Sequence, residues 1–305
     1  MGMKIIKTNL GKIELETPII LSSGVFGFGE EMPDLIDIKK IGAITTKTIT
    51  YKPLKGNVQP RIYETYSGMI NSIGLQNPGV FYFIENILPK IKKKFKKIFV
   101  SITGKTEDEF IDLTKIISKE KVDAIELNLS CPNFEKNRKM ISQDPDLTYK
   151  IVKIVKENTD LPVIAKLTPN VTDIKEIAIS AQKGGADILC LINTLKGLRI
   201  DLKKMKIIDG GLSGPSIKPV GLKCVYEVYK VVNIPIIGTG GIFKGQDGIE
   251  YILAGANAIG IGSGFFNNIN IIDEIIEKLL NFIKKGKFGK LDKIVGLLNE
   301  KKIST

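Results

Sequence analysis

The sequence contains no histidine among its 305 residues. This absence excludes a Ser-His or Cys-His catalytic pair, and it excludes any metal site that needs imidazole ligands. Only three cysteines are present, at Cys131, Cys190 and Cys224, and they lack the spacing of a zinc site or an iron–sulfur cluster. An ordinary four-cysteine cluster therefore cannot form within this chain.

Long apolar runs are missing as well. No segment approaches the roughly 18 consecutive apolar residues of a transmembrane helix, and residues 1–17 mix charged with single apolar side chains, unlike a signal peptide. We therefore expect a cytoplasmic protein that has no membrane partner. The formal net charge is +12, but the lysines concentrate on predicted helix faces such as residues 90–97, which is typical of a solvated surface. We expect no nucleic-acid partner.

Short β-branched runs alternate with amphipathic helical patterns along most of the chain. The runs predict eight strands, at residues 18–23, 43–49, 98–103, 124–130, 162–168, 186–193, 235–239 and 258–263. The helical patterns cover residues 107–119, 147–157, 173–184, 219–232 and 245–253, and one more helix follows Asn270. This alternation predicts a parallel (β/α)8 barrel as a single domain over residues 1–305, with a doubly wound open sheet as the alternative.

Residues 50–78 interrupt this rhythm after the second predicted strand. A stretch of that length without a helical pattern is uncommon in a compact domain unless it has a function. We predict a long loop insertion over the carboxyl-terminal mouth of the barrel.

Four predicted strands carry a polar side chain near their carboxyl ends, namely Lys47, Asn128, Lys166 and Asn193. Both faces of a barrel strand are buried, so a lysine there must be paired or must contact a ligand. A structural ion pair, for instance between Glu126 and Lys166, is one interpretation. Four such residues at four strand ends favour a ligand site at the rim, where barrel enzymes have their active sites.

Glycine-rich turns follow the last two predicted strands, at residues 238–241 and 260–264. Loops after the seventh and eighth strands of a barrel commonly bind phosphate through backbone N–H groups. These turns predict a cofactor that bears a phosphate.

The three cysteines differ in their surroundings. Cys131 follows the fourth predicted strand in a polar turn, near Lys47 and Lys166 in a barrel, and ammonium groups favour the thiolate. With no histidine in the chain, Cys131 is the best candidate for a general base. Cys190 is expected to face the surrounding helices and Cys224 to lie on an amphipathic helix, both as small buried apolar residues.

Several segments together resemble one enzyme family. Residues 56–65 (GNVQPRIYET) and 68–79 (GMINSIGLQNPG) are similar to the active-site loop of class 1 dihydroorotate dehydrogenases. Further similarity lies in NLSCPN at 128–133, AKLTPN at 165–170, NT at 193–194 and GGLSGP at 210–215. The resemblance extends from about residue 17 to residue 266, and these motifs are specific as a set.

The resemblance implies an FMN-bearing barrel that oxidises (S)-dihydroorotate to orotate in pyrimidine biosynthesis. Cys131 would remove the C5 proton while a hydride passes from C6 to the flavin. The implied substrate-binding residues are Lys47, Asn71, Ser72, Ile73, Gly74, Leu75, Asn128, Asn193 and Thr194. The implied FMN-binding residues are Ser23, Lys47, Thr48, Asn128, Lys166, Ile192, Gly214, Gly240, Gly241, Gly262 and Ser263.

Within class 1, the form of the loop resembles the NAD-linked type B. Catalytic subunits of that type join an electron-transfer subunit that carries FAD and a [2Fe–2S] cluster, in a heterotetramer built on a homodimer. The sequence departs from the family at Ser101, where an asparagine usually contacts FMN, and in the segment 195–210, which is shorter than usual.

Three other enzymes remain as alternatives. A fumarate-linked homodimeric dihydroorotate dehydrogenase shares the barrel and the cysteine base. The dihydropyrimidine dehydrogenases have histidine where this chain has Asn133. A dihydrouridine synthase acting on transfer RNA would carry a helical RNA-binding domain after the barrel, where about forty residues follow the eighth predicted strand here. The membrane-bound class 2 enzymes have an N-terminal extension and a serine base, and neither is expected in this chain.

Overall fold

The computed structural model describes residues 3–130 and 140–299 of the chain. Its strands in this part are β1 (Thr8–Leu10), β2 (Ile13–Leu15), β3 (Ile19–Leu21), β4 (Ala43–Thr45), β5 (Ile62–Thr65), β6 (Gly68–Asn71), β7 (Ile98–Ile102), β8 (Ala124–Asn128), β9 (Val163–Leu167), β10 (Ile188–Leu191), β11 (Leu195–Asp201), β12 (Lys206–Ser213), β13 (Ile236–Thr239) and β14 (Ala258–Ile261).

Eight of these strands form a closed barrel in the order β10-β13-β14-β3-β4-β7-β8-β9, and every neighbouring pair is parallel. Each barrel strand lies inside one of the eight predicted runs and is shorter than the run. Closure overturns the open-sheet alternative and confirms the parallel barrel. All eight carboxyl ends therefore meet at one rim.

Helices follow most barrel strands and cover the outside of the barrel. They are α1 (Val80–Tyr82), α2 (Leu88–Lys94), α3 (Glu107–Ser118), α4 (Pro145–Lys156), α5 (Ile174–Lys183), α6 (Lys218–Tyr229), α7 (Gly245–Ala254), α8 (Gly264–Asn267) and α9 (Ile271–Lys285). A π-helical turn, Phe83–Ile87, joins α1 to α2. The helix predicted after Asn270 is confirmed as α9, and each of the other five predicted helices overlaps an observed one.

Side-chain caps fix where three of these helices begin. Thr106 accepts a hydrogen bond from the backbone N–H of Glu109 at the start of α3. Asp144 and Asp173 do the same at the starts of α4 and α5. Each cap satisfies an N–H group that has no partner within the helix. Each of these three caps therefore fixes the turn that joins a barrel strand to the helix after it. The direction of the chain at that strand end is fixed with it.

The interior of the barrel is apolar near the amino ends of the strands. Residues there include Ile20, Phe99, Ile164 and Ile188, and Leu15 of the β1–β2 hairpin packs into the same cluster. The hairpin therefore closes the end of the barrel opposite the mouth. Cys190 belongs to this interior cluster, so the prediction that it faces the helices is wrong.

The segment predicted as a long loop after the second strand contains regular structure. The hairpin of β5 and β6 lies inside residues 50–78, and β6 pairs with β12, which in turn pairs with β11. The result is a four-stranded antiparallel sheet of order β11-β12-β6-β5. The insertion is confirmed, and part of it forms the β5–β6 hairpin. The shortened segment 195–210 is mostly a hairpin of the same sheet.

No helix in residues 3–130 and 140–299 combines the length and the apolar character needed to cross a bilayer. The cytoplasmic location stays a prediction.

The packing of the β1–β2 hairpin gives a prediction for stability. Leu15 is fully buried in the barrel interior, so Leu15→Ala should lower the free energy of unfolding by about 2–5 kcal/mol, the usual effect of a large-to-small change in a core. Lys12→Ala, at the exposed tip of the same hairpin, should change it by less than about 0.5 kcal/mol. Denaturant unfolding followed by circular dichroism measures both. Equal effects of the two variants would show that the hairpin does not close the barrel.

Candidate functional site

The polar side chains at the strand ends form one hydrogen-bonded strip inside the mouth of the barrel. The Thr48 hydroxyl lies 3.0 Å from that of Ser101, and the Asn128 side chain donates to Thr48 Oγ1 at 3.1 Å. Asn193 donates to Asn128 Oδ1 at 3.5 Å. Residues from four separate strand ends are thereby connected. Ser101, which replaces the asparagine expected from the resemblance, is part of this strip and is fully buried.

Lys47 lies at the edge of this strip, two residues beyond the end of β4. Burial lowers the pKa of Lys47, the charge of Glu31 opposes that shift, and the charge of Arg61 adds to it. Arg61 belongs to the inserted segment, and its side chain donates to Gln76 Oε1 at 2.5 Å. Two cations near one another at a half-buried position favour the binding of an anion.

Lys166 points into the barrel from β9, where it is paired in register with Asn128 on one side and Cys190 on the other. It is only 9% exposed, and no ion pair joins it to Glu126 within the described residues. The structural ion pair considered as an alternative is therefore wrong for this conformation. Glu126 Oε1 is buried and has no hydrogen-bond partner in the described part of the chain. A buried ammonium without a counter-charge in contact favours a ligand above it.

The inserted segment brings a row of backbone N–H groups to the mouth. The N–H groups of Ile73, Gly74 and Leu75 have no acceptor within residues 3–130 and 140–299. Gly74 has φ 71°, and a Cβ there would lie 2.7 Å from Asn57 N, so only glycine fits. Leu75 also has a positive φ, of 54°, which is uncommon for a residue with a side chain. A residue with a side chain keeps a positive φ only where the surrounding contacts hold its backbone in place.

The side chain of Asn77 holds the backbone at Leu75 in place. No role is predicted for Asn77 from the sequence. It is 5% exposed. Its side chain accepts from the backbone N–H groups of Thr50 and Gly79 and donates to the carbonyl of Leu75 at 2.8 Å. The available signal was the position of an asparagine just before Pro78 and Gly79 in a turn, since asparagine side chains commonly bond to neighbouring backbone.

The remaining residues implied for substrate binding lie close to these groups. The Asn71 side chain donates to the carbonyl of Gly211 on β12, and a Cβ on Gly211 would meet Thr194 Oγ1. Thr194 directly follows Asn193, and its N–H donates to the Asn193 side chain. Ser72 accepts from the Asn57 side chain. The structure therefore brings the 71–75 segment, the 193–194 segment and the polar strip together.

The two glycine-rich turns lie at the carboxyl ends of β13 and β14. A Cβ at Gly240 would lie 3.3 Å from Ile192, and one at Gly241 would lie 2.6 Å from Lys218 N. A Cβ at Gly262, in contrast, would make only an ordinary van der Waals contact, with Ser22 Cβ at 3.9 Å. Ser263 follows Gly262 and precedes α8.

Two further residues implied for the cofactor lie on neighbouring segments of the mouth. Ser23 donates to the Thr46 carbonyl after β3, and Gly214 follows β12. The residues implied for the cofactor thus lie around the same rim as those implied for the substrate. Cys131 lies outside the described residues.

The chain is similar to known proteins over almost its whole length. A family model described as dihydroorotate dehydrogenase matches residues 5–283. The "Dihydroorotate dehydrogenase B (NAD(+)), catalytic subunit" of Caldicellulosiruptor saccharolyticus is 46% identical over 298 residues, which are 96% of this chain and 99% of that protein. Proteins of the same name from Alkaliphilus metalliredigens and Thermoanaerobacter pseudethanolicus are 43% and 41% identical, over 96% of this chain and 98% of each relative. The chain belongs to the dihydroorotate dehydrogenase family.

Proposed function

We propose that this chain is the catalytic subunit of an NAD-linked dihydroorotate dehydrogenase and oxidises (S)-dihydroorotate to orotate in pyrimidine biosynthesis. The observation that carries the proposal is the convergence of Lys47, Asn128 and Asn193 with the 71–75 segment at one mouth, in a chain of this family. The names of the relatives, which identify NAD(+)-linked catalytic subunits, support the same reading.

The residues at the mouth fit FMN. The turn after β13 has no space for a side chain at Gly241, so its backbone is bare, and glycine turns after the last two barrel strands commonly bind phosphate through backbone N–H groups. Lys166 and Asn128 would hold the ring system, and Ser23, Lys47, Thr48, Ile192 and Gly214 would complete the site. When bound, FMN supplies the hydride-accepting chemistry that no side chain of the chain can provide.

The substrate carries a carboxylate and a ring with amide-type N–H and C=O groups. The free N–H groups of Ile73, Gly74 and Leu75 suit the carboxylate, and the nearby Lys47 adds a positive charge. Asparagine side chains both donate and accept, so Asn71, Asn128 and Asn193 can pair with the ring in either direction. Ser72 and Thr194 flank these groups.

Cys131 is the general base in this proposal, and it takes the proton from C5 of the substrate. The other cysteines are poor candidates. Burial raises the pKa of the Cys190 thiol to about 12 and that of Cys224 to about 11, so both stay protonated at neutral pH. Lys47 and Lys166 belong to the same rim as the fourth strand end, and ammonium groups favour a thiolate.

Electrons leave through a partner subunit that carries FAD and a [2Fe–2S] cluster. Three scattered cysteines cannot hold such a cluster in this chain. The outer sheet also exposes apolar side chains that a monomer would ordinarily bury, among them Leu198, Ile200 and Ile207. This face supports a protein contact beside the mouth, within a heterotetramer built on a homodimer.

The purified protein should contain one non-covalent FMN per chain, and anaerobic addition of dihydroorotate should bleach its visible absorption band. Release of the cofactor by heat, followed by chromatography, identifies it. Reconstitution with FMN controls for loss during purification. A chain that binds only FAD, or no flavin after reconstitution, is not the enzyme proposed.

Cys131→Ala should slow flavin reduction by dihydroorotate by about 10²–10⁴-fold, the usual contribution of a general base. Cys131→Ser should keep some activity that rises with pH, because a hydroxyl loses its proton at a higher pH than a thiol does. Cys224→Ala is the matched control, since this residue lies on α6, and it should reduce flavin at the wild-type rate. Stopped-flow absorbance measures all three. A wild-type rate in Cys131→Ala would assign the base elsewhere.

The isolated chain should not reduce NAD+ efficiently, whereas the complex with its iron–sulfur flavoprotein partner should. The reason is that the mouth is occupied by FMN and substrate, so electrons need a second protein to reach a nicotinamide. Co-purification from the native source, followed by NAD+ assays with and without the partner, tests this. Rapid turnover with fumarate by the isolated chain would instead place it with the homodimeric enzymes.

A further inference from the structure

A tyrosine on the outer helix α7 contacts the glycine turn that follows β13. Tyr251 is fully buried, and its hydroxyl donates to the carbonyl of Gly240 at 2.6 Å. The same oxygen lies 3.3 Å from the carbonyl of Thr239. Burial raises the pKa of Tyr251, so the hydroxyl stays protonated and keeps its role as a donor. The Tyr251 hydroxyl therefore binds chiefly the Gly240 carbonyl, because the Thr239 carbonyl also accepts from the backbone N–H of Ile192 at 3.1 Å.

Because the peptide unit is planar, a contact at its carbonyl also fixes the direction of the N–H group of the same peptide. In a trans peptide the C=O and N–H groups point in opposite directions, and the peptides of this turn are trans. Because the carbonyl of Gly240 points at Tyr251, the N–H group of Gly241, which belongs to the same peptide, points away from α7. The Gly241 N–H has no acceptor in residues 3–130 and 140–299. A hydrogen bond at the carbonyl also strengthens the N–H donor of the same peptide.

A second side chain of α7 occupies two further N–H groups after the turn. Asp247, which is 4% exposed, accepts from the backbone N–H groups of Phe243 and Lys244, both at 2.8 Å, and pairs with Lys218 Nζ at 2.7 Å. An anion at this turn therefore finds the N–H of Gly241 without an acceptor in the described residues and those of Phe243 and Lys244 already used.

A glycine on α6 leaves the space that the Tyr251 hydroxyl occupies. A Cβ at Gly221 would lie 2.0 Å from the Tyr251 hydroxyl, so α6 provides a glycine where the phenol ring ends. A Cβ at Gly241 would lie 2.6 Å from the backbone N of Lys218, which begins α6. The turn thus lies between α6 and α7, and a side chain at either Gly221 or Gly241 would displace it or the tyrosine.

We propose that Tyr251 is a positioning residue for the phosphate of the bound cofactor, with Asp247 as its companion on the same helix. Tyr251 fixes the direction of the Gly241 N–H donor from beneath the turn, and Asp247 occupies the N–H groups of Phe243 and Lys244. Neither residue touches the cofactor. This proposal rests on the proposed function, because it presumes that FMN is the group bound at the turn.

The test compares FMN with riboflavin, which has the same ring and no phosphate. In Tyr251→Phe, the dissociation constant of FMN for the apoprotein should rise about 3- to 10-fold, the factor that matches one buried hydrogen bond. That of riboflavin should stay unchanged. Tyr226→Phe removes a hydroxyl that contacts Lys230 on the surface of α6, and it should alter neither constant. Quenching of flavin fluorescence gives both constants.

A merely structural tyrosine would weaken FMN and riboflavin equally, and that outcome overturns the proposal. So does a Tyr251→Phe protein with unchanged FMN affinity. If Tyr251→Phe does not fold, Asp247→Asn is measured in its place and should weaken FMN selectively in the same way. Wild-type protein that binds no FMN would instead refute the proposed function, so the two failures are distinguishable.

Discussion

Every strand of the barrel is buried on both faces, and this constraint divides the interior into two halves. Near the amino ends the interior is filled by apolar side chains such as Ile20, Phe99 and Ile164, and the β1–β2 hairpin closes it. Near the carboxyl ends it is polar, and a buried polar group is stable only when it is hydrogen-bonded. The strip from Ser101 to Asn193 satisfies part of this requirement. Ser130 Oγ and Glu126 Oε1 have no partner in the described residues, which leaves room for a ligand.

The strand phase predicted correctly which polar residues enter the barrel, because side chains alternate as long as a strand continues. Lys47, Asn128 and Lys166 lie in phase with the apolar interior residues Ala43, Ala124 and Ile164 of their own strands. The same reasoning gave the wrong face for Cys190. Alternation that places Asn193 inside the barrel places Cys190 outside it, but β10 ends at Leu191, so the alternation does not extend to Asn193.

The outer antiparallel sheet could not be predicted from local pattern. Strands β5 and β6 are four residues each and have no alternating apolar face, and β6 is held by β12, more than 130 positions later in the chain. The hydrogen bonds of the Asn77 side chain to the neighbouring backbone could not be predicted for a related reason. The same holds for the contact of Tyr251 with Gly240. Tyr251 belongs to the apolar face of an amphipathic helix, where an aromatic side chain ordinarily indicates core packing, and only its hydroxyl distinguishes it.

The strand pairing of the outer sheet determines where a change in chain length affects Asn71 and where it does not. Asn71 depends on the pairing of β6 with residues 211–213, whereas the tip of the β11–β12 hairpin, at residues 202–205, pairs with neither β6 nor the barrel. Insertions or deletions at that tip leave the register at Asn71 untouched, and exposed loop tips tolerate them well. The length of this hairpin tip can therefore change without altering the strand pairing that holds Asn71 in place.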